Sequence, residues 1–173
     1  MTARIETLGD GDTFTHEGLQ FIVSIEYDEN HGAPWDEGDG HGPVSQWTGR
    51  NKKPGEWVLS KNRGLKRFYD AARVELAEML GRSPTNGDIR AEAVRRDFEH
   101  LRRWCNDQWH YVGVCVRHVS QDAGERYGCA RWGIESDSVT YIAEVAHELA
   151  WECAKTIMAD IEATRETPKG PKL

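Results

Sequence analysis

The chain lacks what a membrane protein or a small secreted scaffold would need. Within 173 residues no apolar run approaches the roughly 20 residues of a spanning helix, and the mean hydropathy is −0.70. No membrane partner is expected. Only four cysteines are present, Cys105, Cys115, Cys129 and Cys153. None form a C-x-x-C pair, which argues against a zinc ribbon or a thioredoxin-like centre. All four read as reduced and structural, with Cys105 and Cys153 on apolar helical faces. A chain of this size can bury close to ~70 % of its unfolded surface, so neither disulfide nor metal is needed to hold the fold. Residues 1–6 show no apolar secretory core and are acidic too early for a transit peptide.

Intact catalytic motifs are missing as well. There is no Walker lysine and no G-x-G-x-x-G spacing. His147-Glu148 opens like H-E-x-x-H, but Trp151 occupies the second ligand position. An EF-hand loop counted from Asp28 places Gly32 fifth and Ala33 sixth, where the sixth must be glycine.

What is present is an uneven distribution of charge. The formal net charge is −7. Residues 1–49 carry ten acidic side chains against Arg4 alone, whereas residues 50–103 carry fourteen basic against eight acidic. Blocks of this kind suggest opposed acidic and basic surfaces. On the helix expected to carry Val94, Phe98, Leu101 and Cys105 on its apolar face, the remaining surface is basic, through Arg95, Arg96, Arg102 and Arg103. Lys and Arg side chains between 50 and 67, with Trp57 among them, suit single-stranded nucleic acid, although the pI of about 5.5 is far from that of a typical binder.

Periodicity predicts the elements. Thr13–His16 and Leu19–Tyr27 read as a hairpin turning at Glu17-Gly18, with Phe21, Val23, Ile25 and Tyr27 at strand period. Residues 28–55 hold six glycines and three prolines with no hydrophobic period. A loop this long is usually functional or disordered, and its tryptophans and histidines favour an ordered, functional one. A short strand is expected at Glu56–Lys61. Phe68, Ala72, Leu76, Met79 and Leu80 space as one helix stopped by Gly81, and Val94, Phe98, Leu101 and Cys105 as a second. Tyr111–Val119 and Arg126–Ile134 form a second hairpin. Ile142, Val145, Leu149, Cys153 and Ile157 stripe a last helix. The expectation is an α+β fold in the order ββ-loop-β-αα-ββ-α. It consists of a mostly antiparallel sheet of about five strands (two hairpins plus a short strand), with three helices packed on it. Residues 1–163 are expected to form one domain, followed by a flexible tail over 164–173.

Three aromatic-acidic segments are candidates for function. The first runs from His31 to Pro43, with Trp47 just beyond. Its His31, Asp36, Asp39 and His41 are hard-to-borderline ligands suited to one divalent metal ion. Glycine with Asp and His also builds a tight hydrogen-bonded surface loop. A third reading is a recognition loop with Trp35 and Trp47 as anchors. The second segment, Trp104–Tyr111, holds Asp107 and His110 where a helix passes into a strand; the plain alternative is a buried aromatic hinge. The third, Trp132–Asp137, holds Trp132 and Glu135. If the three converge, Asp36, Asp39, Asp107 and Glu135 would form a carboxylate cluster.

The stretch E-Y-D-E-N-H-G-A-P-W-D-E-G-D-G-H-G-P-V-S-Q-W (Glu26–Trp47) resembles a family of uncharacterised proteins of bacteriophages and prophages. Trp104–His110 and Trp132–Asp137 look like its other two signatures, and the resemblance covers roughly residues 20–150. It carries over no catalytic residue. It implies a small accessory protein in the cytoplasm of an infected bacterium, binding a host bacterial protein, with counter-defence as one such role. The expected contact residues are His31, Trp35, Asp36, Asp39, His41, Trp47, Asp107, His110, Trp132 and Glu135. The rival readings are a metal-dependent hydrolase of nucleotides or phosphodiesters, and a pocket that sequesters a small nucleotide.

Overall fold

A computed structural model describes residues 7–34, 44–45, 58–59, 66–119 and 127–166. Its elements run β1 (Thr13–His16), β2 (Leu19–Tyr27), β3 (Val44–Ser45), β4 (Val58–Leu59), α1 (Lys66–Leu80), α2 (Asn86–Cys105), β5 (Tyr111–His118), β6 (Gly128–Glu135) and α3 (Val139–Glu166). The chain divides into two compact units. Unit 1 is Met1–Glu29 with His110–Leu173, and unit 2 is Asn30–Trp109.

Unit 1 is a four-stranded antiparallel sheet in the order β1-β2-β5-β6, with α3 packed against it. The first hairpin turns at Glu17-Gly18, as expected. Both residues have positive φ, 49° and 80°, which a two-residue hairpin turn of type I′ requires. Alternation then decides which side chains meet the helix. Phe21 and Val23 of β2, Val112, Val114 and Val116 of β5, and Ile134 of β6 are buried with Ile142, Val145, Leu149, Cys153 and Ile157 of α3. All five residues of the expected α3 stripe lie in this core. Ala143, Ala146, Ala150 and Ala154 are fully buried between them, so the helix backbone can approach the strands. Each large aliphatic side chain removed from water here contributes about 1.5–3 kcal/mol.

Unit 2 contains α1 and α2 packed on each other, and the pair β3–β4. Their apolar cluster is small: Ala72, Leu76, Ile89 and Ala93, flanked by Phe68 and Tyr69. Helix α2 starts with a capping box: the Thr85 hydroxyl accepts from the Asp88 N–H, and the Asp88 carboxylate accepts from the Thr85 N–H. The hydrogen bond from the Thr85 N–H, joined by the Thr85 hydroxyl, holds the Asp88 carboxyl below its usual range.

The structure corrects several expectations. The main sheet has four strands rather than five. The short strand expected at 56–61 is β4, and it pairs with β3 in a separate two-stranded sheet; β3 was hidden because residues 28–55 show no alternation. Helix α3 packs on the four-stranded sheet, and α1 and α2 pack on one another. On α1, Met79 and Leu80 are exposed rather than part of the apolar face. On α2, the buried residues are Ile89, Ala93, Asp97 and Leu101. This stripe keeps Leu101 from the expected one, has Ala93 and Asp97 in place of Val94 and Phe98, and leaves Cys105 exposed. A carboxylate at its centre, Asp97, concealed the stripe from a hydrophobic reading. Finally, α3 continues to Glu166, past the expected start of the tail.

Candidate functional site at the bulged sheet end

The site is built from two glycines in adjacent strands. Glycine inside a strand marks a bulge or a close approach, and both occur here. Val112 pairs with Ile134 and Val114 with Arg131, so Trp132 and Gly133 of β6 stand opposite Gly113 alone. This is a β-bulge, and Gly133 takes the left-handed conformation within it (φ 76°). The Trp132 indole lies over Gly113. A Cβ at 113 would stand 2.6 Å from Trp132 Cζ3 and closer still to Cε3, so only glycine leaves room for the ring. Although held this way, Trp132 is 49 % exposed.

The bulge also presents the Gly133 N–H, which donates to Asp28 Oδ2 at 3.1 Å. Asp28 follows β2 directly, and its own N–H donates to the Tyr111 carbonyl at 3.0 Å. The carboxylate is buried, with 7 % exposure. Burying a carboxylate is costly unless hydrogen bonds replace water, and the backbone donor supplies one. Glu135 is buried at the same end of the sheet, paired in register with Tyr111. His110 and Ser136 close the end reciprocally: the His110 N–H donates to Ser136 Oγ at 3.0 Å, and the Ser136 N–H donates to the His110 carbonyl at 2.9 Å. The His110 ring sits 5.2 Å from that of Tyr27, which is 63 % exposed.

Unit 1 therefore gathers three expected site residues, His110, Trp132 and Glu135, around Asp28. Asp28, Gly113, Gly133 and Tyr27 were missed. A glycine inside each expected strand was the readable signal for Gly113 and Gly133.

Asp107 belongs to unit 2 and performs a helix-ending task. It is exposed with φ 55°. Its N–H donates to the Trp104 carbonyl, and the Gln108 N–H to that of Arg103. That pattern is a Schellman motif with Asp107 at its left-handed position. The hinge reading of the same segment applies to Trp109, which is buried, donates Nε1–H to the His100 carbonyl at 2.9 Å and packs against the His100 ring. His31 is half-buried in unit 2. Trp35, Asp36, Asp39, His41 and Trp47 lie outside the described residues, as does most of the basic 50–67 segment. Among the described residues no three His, Cys, Asp or Glu side chains are arranged to hold a metal ion.

Two of the four arginines expected on the exposed side of α2 are engaged by carboxylates. Arg95 pairs with Glu92 and Glu99, and Arg96 with Glu75 and Glu92, at 2.7–2.8 Å. Hydrogen bonding from Arg95, joined by Arg96, holds the Glu92 carboxyl down to about 2 against the opposing push of burial. Hydrogen bonding to Glu92 raises Arg95, and hydrogen bonding to Glu75 and then Glu92 raises Arg96, further above the usual range. These two guanidiniums are committed within the protein rather than offered to phosphates. His147 lies edge-on to Phe14 with ring centroids 4.9 Å apart, and Glu148 binds Arg131 at 2.6 Å.

No family model, no curated protein and no solved structure matches the chain.

Proposed function

We propose that the protein acts by recognition, binding a host bacterial protein inside an infected cell rather than turning over a substrate. The observation that supports this most is Trp132. A large aromatic side chain half in water, its ring seated on a glycine, is the kind of rigid anchor that dominates protein interfaces. Tyr27 adds a second exposed aromatic at the sheet end. The buried Asp28 carboxylate, engaged by backbone, sets the bulge that presents Trp132. In sequence, the Gly/Trp/His segment with Trp35 and Trp47 follows directly from Asp28, and the resemblance of Glu26–Trp47 to phage proteins supports a host factor as partner. The hydrolase reading rests on His31, Asp36, Asp39 and His41, three of which lie outside the described residues.

The test is quantitative capture from bacterial lysate by the full chain, followed by affinity measurement with the captured protein. Trp132→Ala is expected to weaken binding about tenfold or more, with far-UV circular dichroism unchanged. Gly113→Ala should do the same by displacing the ring. Full affinity in a folded Trp132→Ala variant would reject this surface.

A further inference from the structure

Two of the four cysteines meet in unit 1. Cys129 lies on β6, the last strand of the sheet order, and is half-buried. It pairs in register with Val116, a core residue, so its side chain is on the face that α3 covers. Cys153 lies on α3 and is buried. The Cys153 thiol donates to Cys129 Sγ at 3.2 Å. A disulfide needs about 2.05 Å between the sulfurs, so a displacement of about 1.2 Å separates this contact from a bond. Neither thiol is required elsewhere in the site described above. Cys105 is exposed on α2, and Cys115 pairs in register with Ser24 and Ala130.

We propose that Cys129 and Cys153 form an oxidation site, converting under a hydroperoxide to a disulfide that joins the edge strand β6 to α3. Cys129 is the sulfur open to attack, since Cys153 is enclosed. In the first step Cys129 sulfur attacks the peroxide and becomes a sulfenic acid. The O–O bond breaks, and the leaving oxygen takes the thiol proton as an alcohol or water. In the second step Cys153 sulfur attacks the sulfenic sulfur, the S–O bond breaks, and the departing hydroxide takes the Cys153 proton as water. Two thiols lose two electrons and one peroxide gains them. Burial, together with the neighbouring Cys129, pushes the Cys153 thiol up to about 12. It therefore waits as a thiol, and the sequence is slow compared with that of a free cysteine. The staple encloses the rest of β6, the turn after it and the first half of α3. Shortening the unfolded chain in this way raises the melting temperature.

The experiment treats the full chain with hydrogen peroxide under native conditions and maps thiols by non-reducing digestion and mass spectrometry. A Cys129–Cys153 linked peptide, two hydrogens lighter than the sum of its parts, is expected. Melting temperature should rise by on the order of 5–10 °C, fall back on addition of dithiothreitol, and stay unchanged in Cys129→Ser. The proposal is overturned if Cys129 proceeds to sulfinic acid while Cys153 remains a thiol. It is equally overturned if the linked peptide forms only after thermal unfolding, or if oxidation lands on Cys105 or Cys115 instead.

Discussion

Units 1 and 2 are held by different physics. Unit 1 closes a sheet against one helix around large aliphatic and aromatic side chains, from Phe21 to Ile157. The α1–α2 pair of unit 2 has a cluster in which two of four buried residues are alanine, supplemented by Arg96 of α2, which binds Glu75 of α1 and Glu92 of its own helix. Apolar burial responds weakly to pH and salt, whereas exposed ion pairs contribute little each and are screened. Among the described residues, the exposed aromatic anchor stands on the unit with the larger aliphatic core. A recognition surface benefits from such support because a preorganised contact loses less entropy on binding.

The largest test of this contrast is Leu149→Ala, which empties the centre of the unit 1 core. It should cost about 2–5 kcal/mol in denaturant unfolding, and Leu76→Ala in unit 2 should fall at or below the low end of that range. Equal costs would erase the distinction. Next, Asp28→Ala removes the acceptor of the Gly133 N–H and should cost about 1–3 kcal/mol. Asp28→Asn, which keeps an acceptor oxygen, should recover most of it.

Acid should act on unit 2. The folded Glu92 carboxyl sits near 2, below its ordinary value of 4.5. Its contribution is therefore fully present above about pH 4.5 and is lost as pH falls toward 2. Glu92→Gln is expected to cost about 1 kcal/mol at pH 6, and the gap from the parent should narrow steadily by pH 3. A gap independent of pH would show that the ion pairs carry no stability. The smallest effect belongs to Asp107→Gly. Glycine suits the left-handed position, so stability should hold or rise by less than about 1 kcal/mol, with recognition unchanged. A loss of binding there would extend the contact surface to this helix end.

The fold was legible where local chemistry decides it. The Glu17-Gly18 turn, the α3 stripe, the Gly81 stop and both hairpins follow from period and backbone preference. What escaped reading depended on partners distant in sequence. β3 has two residues and no alternation, so only its pairing with β4 reveals it. Asp97 is a carboxylate in a buried stripe, which no hydrophobic pattern anticipates. At the site, Trp132, Glu135 and His110 were visible as residue types, but Asp28 was not. Its role depends on a hydrogen bond to Gly133 across 105 positions of sequence. Asp107 looked chemical because acids beside tryptophans suggest a pocket, yet the backbone uses it to end a helix.

The pairing of β2 with β5 also sets a schedule for synthesis. The two strands are neighbours in the sheet, Phe21 opposite His118 and Tyr27 opposite Val112, yet all of unit 2, Asn30–Trp109, is translated between them. At ~5–20 residues per second, that stretch of about 80 residues keeps β2 waiting roughly 4–16 s for its partner. During that interval the nascent hairpin β1–β2 displays an open edge bearing Phe21, Val23 and Ile25, a template for pairing with any other extended chain. Crowded ribosomes on one message would bring many such edges close together, so yield of native protein should depend on how quickly the ribosome crosses the inserted unit.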